Sequence, residues 1–87
     1  MTIYWILKPS KEANNQVNAW IHENYPGIHY FGKLVAITPD WDNYRFPPHS
    51  SMCIWFDDWQ DPEVNIMFKL ANSNAILEQR LEEPPSI

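Results

Sequence analysis

Residues Thr2 to Lys8 read Thr-Ile-Tyr-Trp-Ile-Leu-Lys, a β-branched and aromatic run with no polar alternation. Such a run suits a strand that is covered on both faces. In a chain of 87 residues this requirement narrows the choice of folds sharply. A domain of this size hides only about 60–65 % of its unfolded surface, so there is little material to cover a strand twice. Placed centrally in a sheet, the run is plain core. Placed at an edge, it would be free to pair with its symmetry mate across a dimer. Central burial is the simpler of the two.

Large side chains supply the core. The chain has five Trp, four Tyr and four Phe, and each aromatic can bury roughly 150–250 Å². Cys53 is the only cysteine, so no intramolecular disulfide is available. Two domains would each be starved of core, and one domain over residues 1–83 is expected. The paired prolines in Glu82-Glu83-Pro84-Pro85 stop any helix and leave 84–87 as a short, fraying tail. The first apolar run ends at Lys8-Pro9, too early for a signal peptide or a membrane span. A reducing, cytoplasmic setting is the default for such a chain.

Ser10 can cap a helix in which Ala13, Val17, Trp20 and Ile21 make one apolar stripe. Tyr25-Pro26-Gly27 would end it, because the residue before Pro resists the helical conformation and Gly accepts a left-handed cap. Residues 28–38 read as a long strand with Gly32 as a candidate bulge, and 51–57 as another. Val64, Ile66, Phe68 and Leu70 alternate with more polar neighbours and predict a half-buried strand. Asn72 or Ser73 would cap a short final helix bearing Ile76, Leu77 and Leu81. The predicted fold is α+β: a two-layer sandwich in the order β-α-β-β-β-α. Its three- to four-stranded, mainly antiparallel sheet packs on one long helix. Alternation sends Tyr4, Ile6, Cys53, Trp55 and Met67 to the opposite face, where exposed apolar area would mark an interface.

The net charge of −5 is local. Residues 1–39 sum to +1 and residues 64–87 to −1. Residues 40–63 hold six acids against Arg45 alone. A protein that binds DNA or RNA directly needs a basic footprint to displace counterions, and this chain has none. The acids lie in two turn-rich segments, Asp40-Trp41-Asp42 through Phe46 and Asp57-Asp58-Trp59-Gln60-Asp61-Pro62-Glu63. Large aromatics in loops are costly to leave wet, and loops are where binding residues concentrate. One interpretation makes Trp41 and Trp59 lids on the core with the acids merely solvated. The other makes Asp40, Trp41, Asp42, Asp57, Asp58, Trp59, Asp61 and Glu63 a contact surface for a basic protein, with Arg45 orienting the loop.

Chemistry has less to work with. The acids of 57–63 are hard oxygen ligands, but the calcium-loop spacing and its glycine are absent. One Cys and three scattered His give no zinc pair, so no metal or cofactor is expected. Cys53 lies inside an apolar strand, where a structural thiol is expected rather than a nucleophile. With Gly27 and Gly32 the only glycines, there is no phosphate-cradling loop. The expectation is therefore a non-enzymatic binding module. Its sharpest form is an inhibitor or decoy of a basic nucleic-acid-handling protein, as viral or mobile-element counter-defence proteins are. The alternatives are a subunit of a homo- or hetero-oligomer, joined through strand 2–8 or the Trp55 face, and a small enzyme using Cys53 or the carboxylates.

Overall fold

A computed structural model describes residues 2–36, 50–57 and 62–86. The order of elements is β1 (Tyr4–Leu7), α1 (Lys11–Asn24), β2 (Tyr30–Ala36), β3 (Ser50–Phe56), α2 (Glu63–Ala71) and β4 (Ile76–Arg80). The strands form one antiparallel sheet in the order β2-β3-β1-β4. This is the ferredoxin-like, split β-α-β topology, a fold that by itself implies no function. Trp5 sits opposite Ile54 on one side and Gln79 on the other. β1 is thus central, as its double-faced apolarity requires. Because β3 and β4 occupy both of its edges, a dimer made by adding a strand to 2–8 has no edge to use.

Helix α1 forms as its sequence dictates. The Ser10 hydroxyl oxygen accepts from the Ala13 N–H at 3.1 Å. Ala13, Val17 and Ile21 are its buried residues, and Gly27 takes the left-handed conformation with φ of 88°. Replacing Ser10 by Ala is expected to lower stability by about 1 kcal/mol, read as a shift of the urea midpoint at constant slope. Gly32 is not a bulge: it pairs in unbroken register with Ile54. It matters instead for close approach, since a Cβ there would lie 3.3 Å from the Met52 sulfur. The irregularity falls on the other side of the sheet, between Ile6 and Leu7 where β1 meets β4.

Two elements exchange type relative to expectation, and the order is β-α-β-β-α-β with two helices. The 64–70 segment is helix α2, with Val64 and Phe68 buried one turn apart. The Trp5 indole N–H donates to the Asn65 side-chain oxygen at 2.9 Å and ties α2 to the central strand. Asn72 does not open a helix but closes α2: its amide donates to the Phe68 carbonyl at 3.2 Å. Residues 76–80, expected to be helical, form the edge strand β4.

Both helices cover one face of the sheet. Trp5, Leu7, Ile54 and Phe56 pack there against Val17, Ile21, Val64 and Phe68. Phe68 is the hub, with its ring 5.4–5.8 Å from those of Trp5, Trp20 and Phe56. The other face carries a smaller cluster of Ile6, Val35 and Cys53, flanked by Tyr4 and Trp55. Alternation placed four of these residues correctly; Met67 does not join them, because it belongs to α2. Nor does the tail fray as expected. Glu83 pairs with Lys33 at 3.1 Å, Pro84 is buried, and Ser86 bridges to Val35 on β2. Since the tail leaves from β4 and ends on β2, it crosses the open face of the sheet.

Candidate functional site

The register of the strands orders the open face into rows. Arg80, Tyr4, Trp55 and Phe31 lie opposite one another across β4, β1, β3 and β2. The next row is Glu78, Ile6, Cys53 and Lys33. Cross-strand neighbours on one face are close enough for their side chains to pack. The Phe31 and Trp55 rings stack at 5.6 Å with 20° between planes. Tyr4 meets the other side of Trp55 at 5.3 Å and 54°. The Lys33 ammonium lies 5.9 Å from the Trp55 ring centre, a cation–π distance.

The tail covers the second row and leaves the first row open. Cys53 is wholly buried, and burial pushes its thiol up to about 11. It is therefore a protonated, structural thiol at neutral pH. Phe31 by contrast is 47 % exposed, and Tyr4 and Trp55 are half-buried. The result is a rigid aromatic row, preordered by stacking, with one edge in water.

The cations at this row are already committed. Arg80 pairs with Glu78 at 3.0 Å and Lys33 with Glu83 at 3.1 Å. Aromatic side chains on a four-stranded sheet can stack single-stranded bases, but such readers add a free basic groove for the backbone. Among the described residues, the two cations at this row are both paired and form no such free groove.

Of the residues expected in the contact surface, Asp57 and Glu63 are described. Asp40, Trp41, Asp42, Asp58, Trp59 and Asp61 lie outside the described residues, as does Arg45. Asp57 continues β3 one residue past Phe56, and its N–H donates to the His29 carbonyl at 3.3 Å. By strand alternation it falls on the open face, next to the aromatic row. Glu63 opens α2. The described residues that flank the two acidic segments lie at opposite ends of the sheet: Asp57 at the Tyr30–Phe56 end, and Ala36 and Ser50 at the other. Seven residues at about 3.4 Å each put these roots roughly 20 Å apart. The 57–63 connection, not 40–46, is the one rooted beside the aromatic row.

Phe31 and Arg80 belong to this face but were missed in the sequence. Phe31 could have been found by continuing the Tyr4–Trp55 alternation through an unbulged β2. Arg80 could not, because its segment reads as helix.

Other features offer little chemistry. Among the described residues, no three His, Cys, Asp or Glu side chains come together as a metal site would require. An open depression of about 420 Å³ at the end of α1 is lined by Ile21, His22, Tyr25 and Tyr30 among others, without converging acids or a nucleophile. No helix among the described residues is long and apolar enough to cross a membrane. Comparison with protein families, with curated proteins and with solved structures found no match.

Proposed function

We propose that this chain is a small protein-binding module that receives a basic, partly apolar protein surface on the open face of its sheet. The observation that carries this reading is the Tyr4–Trp55–Phe31 row, half-buried at Tyr4 and Trp55 and exposed at Phe31, which ends where the acidic 57–63 connection begins. Stacked aromatics supply a preorganised apolar anchor with little side-chain entropy left to lose, and interface hot spots are enriched in such residues. The carboxylates at the end of the row add an anionic field that steers a cationic partner and rejects an anionic one. An inhibitor or decoy of a nucleic-acid-handling protein is the sharpest form of the proposal, because such proteins present basic surfaces.

Affinity capture from nuclease-treated lysate of the cells that make the protein tests it. Three baits are compared: wild type, Phe31→Ala, and Asp57→Asn/Asp58→Asn/Asp61→Asn/Glu63→Gln. The wild type is expected to retain a basic protein that both variants lose, and that high salt releases, since the Debye length shrinks from about 8 Å to about 3 Å at 1 M. With the captured protein purified, Phe31→Ala should weaken binding by roughly 30-fold, the size of a 2 kcal/mol hot spot. Equal recovery of the same protein by all three baits would remove both the aromatic row and the acids from the interface.

A further inference from the structure

The fold treats the two edges of its sheet differently. The outer edge of β2 is engaged by the segment after β4, through the bridge from Val35 to Ser86. The outer edge of β4 has no strand beside it among the described residues. An uncovered edge offers unpaired N–H and C=O groups, and proteins usually guard it with charge, proline or a bulge. The guard here is slight, a single register shift at the Ile76 end of the strand. Ile76-Leu77-Glu78-Gln79-Arg80 and the following Leu81 contain one acid and one base, already joined in a 3.0 Å pair. Leu77 and Leu81 are 48 % and 58 % exposed.

We propose that a second copy of the chain closes this edge, β4 pairing antiparallel with β4 about a two-fold axis at Gln79, so that one sheet runs through eight strands. A two-fold interface must be self-complementary, each residue finding its partner's partner across the axis. Centred on Gln79, Glu78 of each copy faces Arg80 of the other, and Leu77 of each faces Leu81 of the other. Centring on Glu78 would set two carboxylates opposite each other. Centring on Arg80 would set two guanidiniums opposite each other and bring Glu78 against Glu82. Like charges directly opposite are destabilising and opposite charges or apolar pairs stabilising, so the register at Gln79 is the one this sequence favours.

The layer above the edge suits the same occupant. Asn72 bonds to Gln16 of α1, which marks the side of α2 that faces α1. At 3.6 residues per turn, Met67 lies about 140° around the helix from Asn72. Met67 is thus on the flank away from α1, and it is 46 % exposed. Gln79 lies opposite the helix-covered Trp5, so by alternation Leu81 points to that same side of the sheet, while Leu77 sits at the register shift. Joining two β4 edges brings Leu81 of each copy to the helix-covered side of the joint sheet, the side on which Met67 of α2 is exposed. The contact uses none of the aromatic row, and it stands or falls apart from the partner proposed above.

Sedimentation velocity on the full chain between about 1 and 300 μM reads the equilibrium, over the range of ordinary dimer affinities. Wild type is expected to shift from monomer to dimer as concentration rises. Glu78→Arg places like cations opposite Arg80 at both ends of the axis, and Arg80→Glu does the same with anions. Each alone should weaken the dimer tenfold or more. An equimolar mixture of the two variants restores opposite charges across the axis and should dimerise like the wild type. The exchanged pair is exposed, so both variants are expected to keep the wild-type circular dichroism. Leu81→Lys, beyond the end of the strand, gives a further variant that should also dissociate the dimer. A wild type that stays monomeric across the range overturns the proposal. So does a dimer indifferent to all three substitutions and to mixing.

Discussion

Trp5→Ala should cost about 3–5 kcal/mol, the range for deleting a buried aromatic. A domain of 87 residues has a total stability of roughly 4–13 kcal/mol, so this one change removes a large part of it. Burial and two contacts explain the size of the effect. Trp5 is 2 % exposed on the central strand, its ring packs 5.4 Å from that of Phe68, and its indole N–H holds Asn65. Losing it disconnects α2 from β1 as well as opening a cavity. Asn65→Ala isolates the polar part and should cost about 1 kcal/mol, since Asn65 is only half-buried. Urea titrations followed by circular dichroism measure both. If Trp5→Ala costs no more than Asn65→Ala, the ring is not the link between the layers.

Alkaline destabilisation is the second large effect. The Cys53 thiol has an ordinary value of 9.0 and is pushed to about 11 in the folded chain, chiefly because burial penalises the thiolate. Above pH 9 the unfolded chain gives up this proton while the folded chain keeps it. The folded state then binds more protons, so stability falls as pH rises. The loss from this group is absent below pH 9, grows between about 9 and 11, and reaches about 2–3 kcal/mol at 1.36 kcal/mol per unit. Cys53→Ala is less stable at neutral pH, because it leaves a cavity, but it lacks this slope. The difference between the two stability–pH curves should therefore narrow above pH 9. Parallel curves would mean that the Glu83–Ser86 strap does not keep water from the sulfur.

The helix α1 was legible because several independent signals agree: the Ser10 cap, the stripe at Ala13, Val17 and Ile21, and the stop at Pro26-Gly27. The central place of β1 and the opposite-face group of Tyr4, Ile6, Cys53 and Trp55 followed from composition and alternation. The exchange of α2 and β4 has a definite cause. Val64, Ile66, Phe68 and Leu70 satisfy a period of two, yet Val64 and Phe68 alone also satisfy a helical turn. The structure buries only that pair and leaves Ile66 and Leu70 in water. Apolar residues on a wet helix face imitate a strand. Conversely, Leu77, Glu78, Gln79 and Arg80 are good helix formers, drawn into a strand by pairing with the open side of β1.

The candidate site was legible in its chemistry more than in its geometry. Local charge singled out Asp57 and Glu63, but nothing in the composition separates the 57–63 connection from 40–46. Strand direction makes that distinction, by rooting one segment beside the aromatic row and the other at the far end of the sheet. The tail was misread because paired prolines forbid a helix. They do not forbid an extended strap, and Pro84 needs no N–H partner when it packs over a sheet.

The position of β1 also sets the order in which the chain can be completed during synthesis. Trp5 is made well before its strand partners, Ile54 and Gln79. A nascent chain therefore carries its most apolar strand unpaired until β3 has emerged, and half-paired until β4 follows. Contacts of such long range close slowly, and unpaired apolar strands are the species that aggregate. Chains interrupted anywhere between residues 57 and 75 would present a bare edge at β1, with Ile6 and Leu7 in it. Of the four described strands, the one made first is thus the one whose protection depends on the one made last.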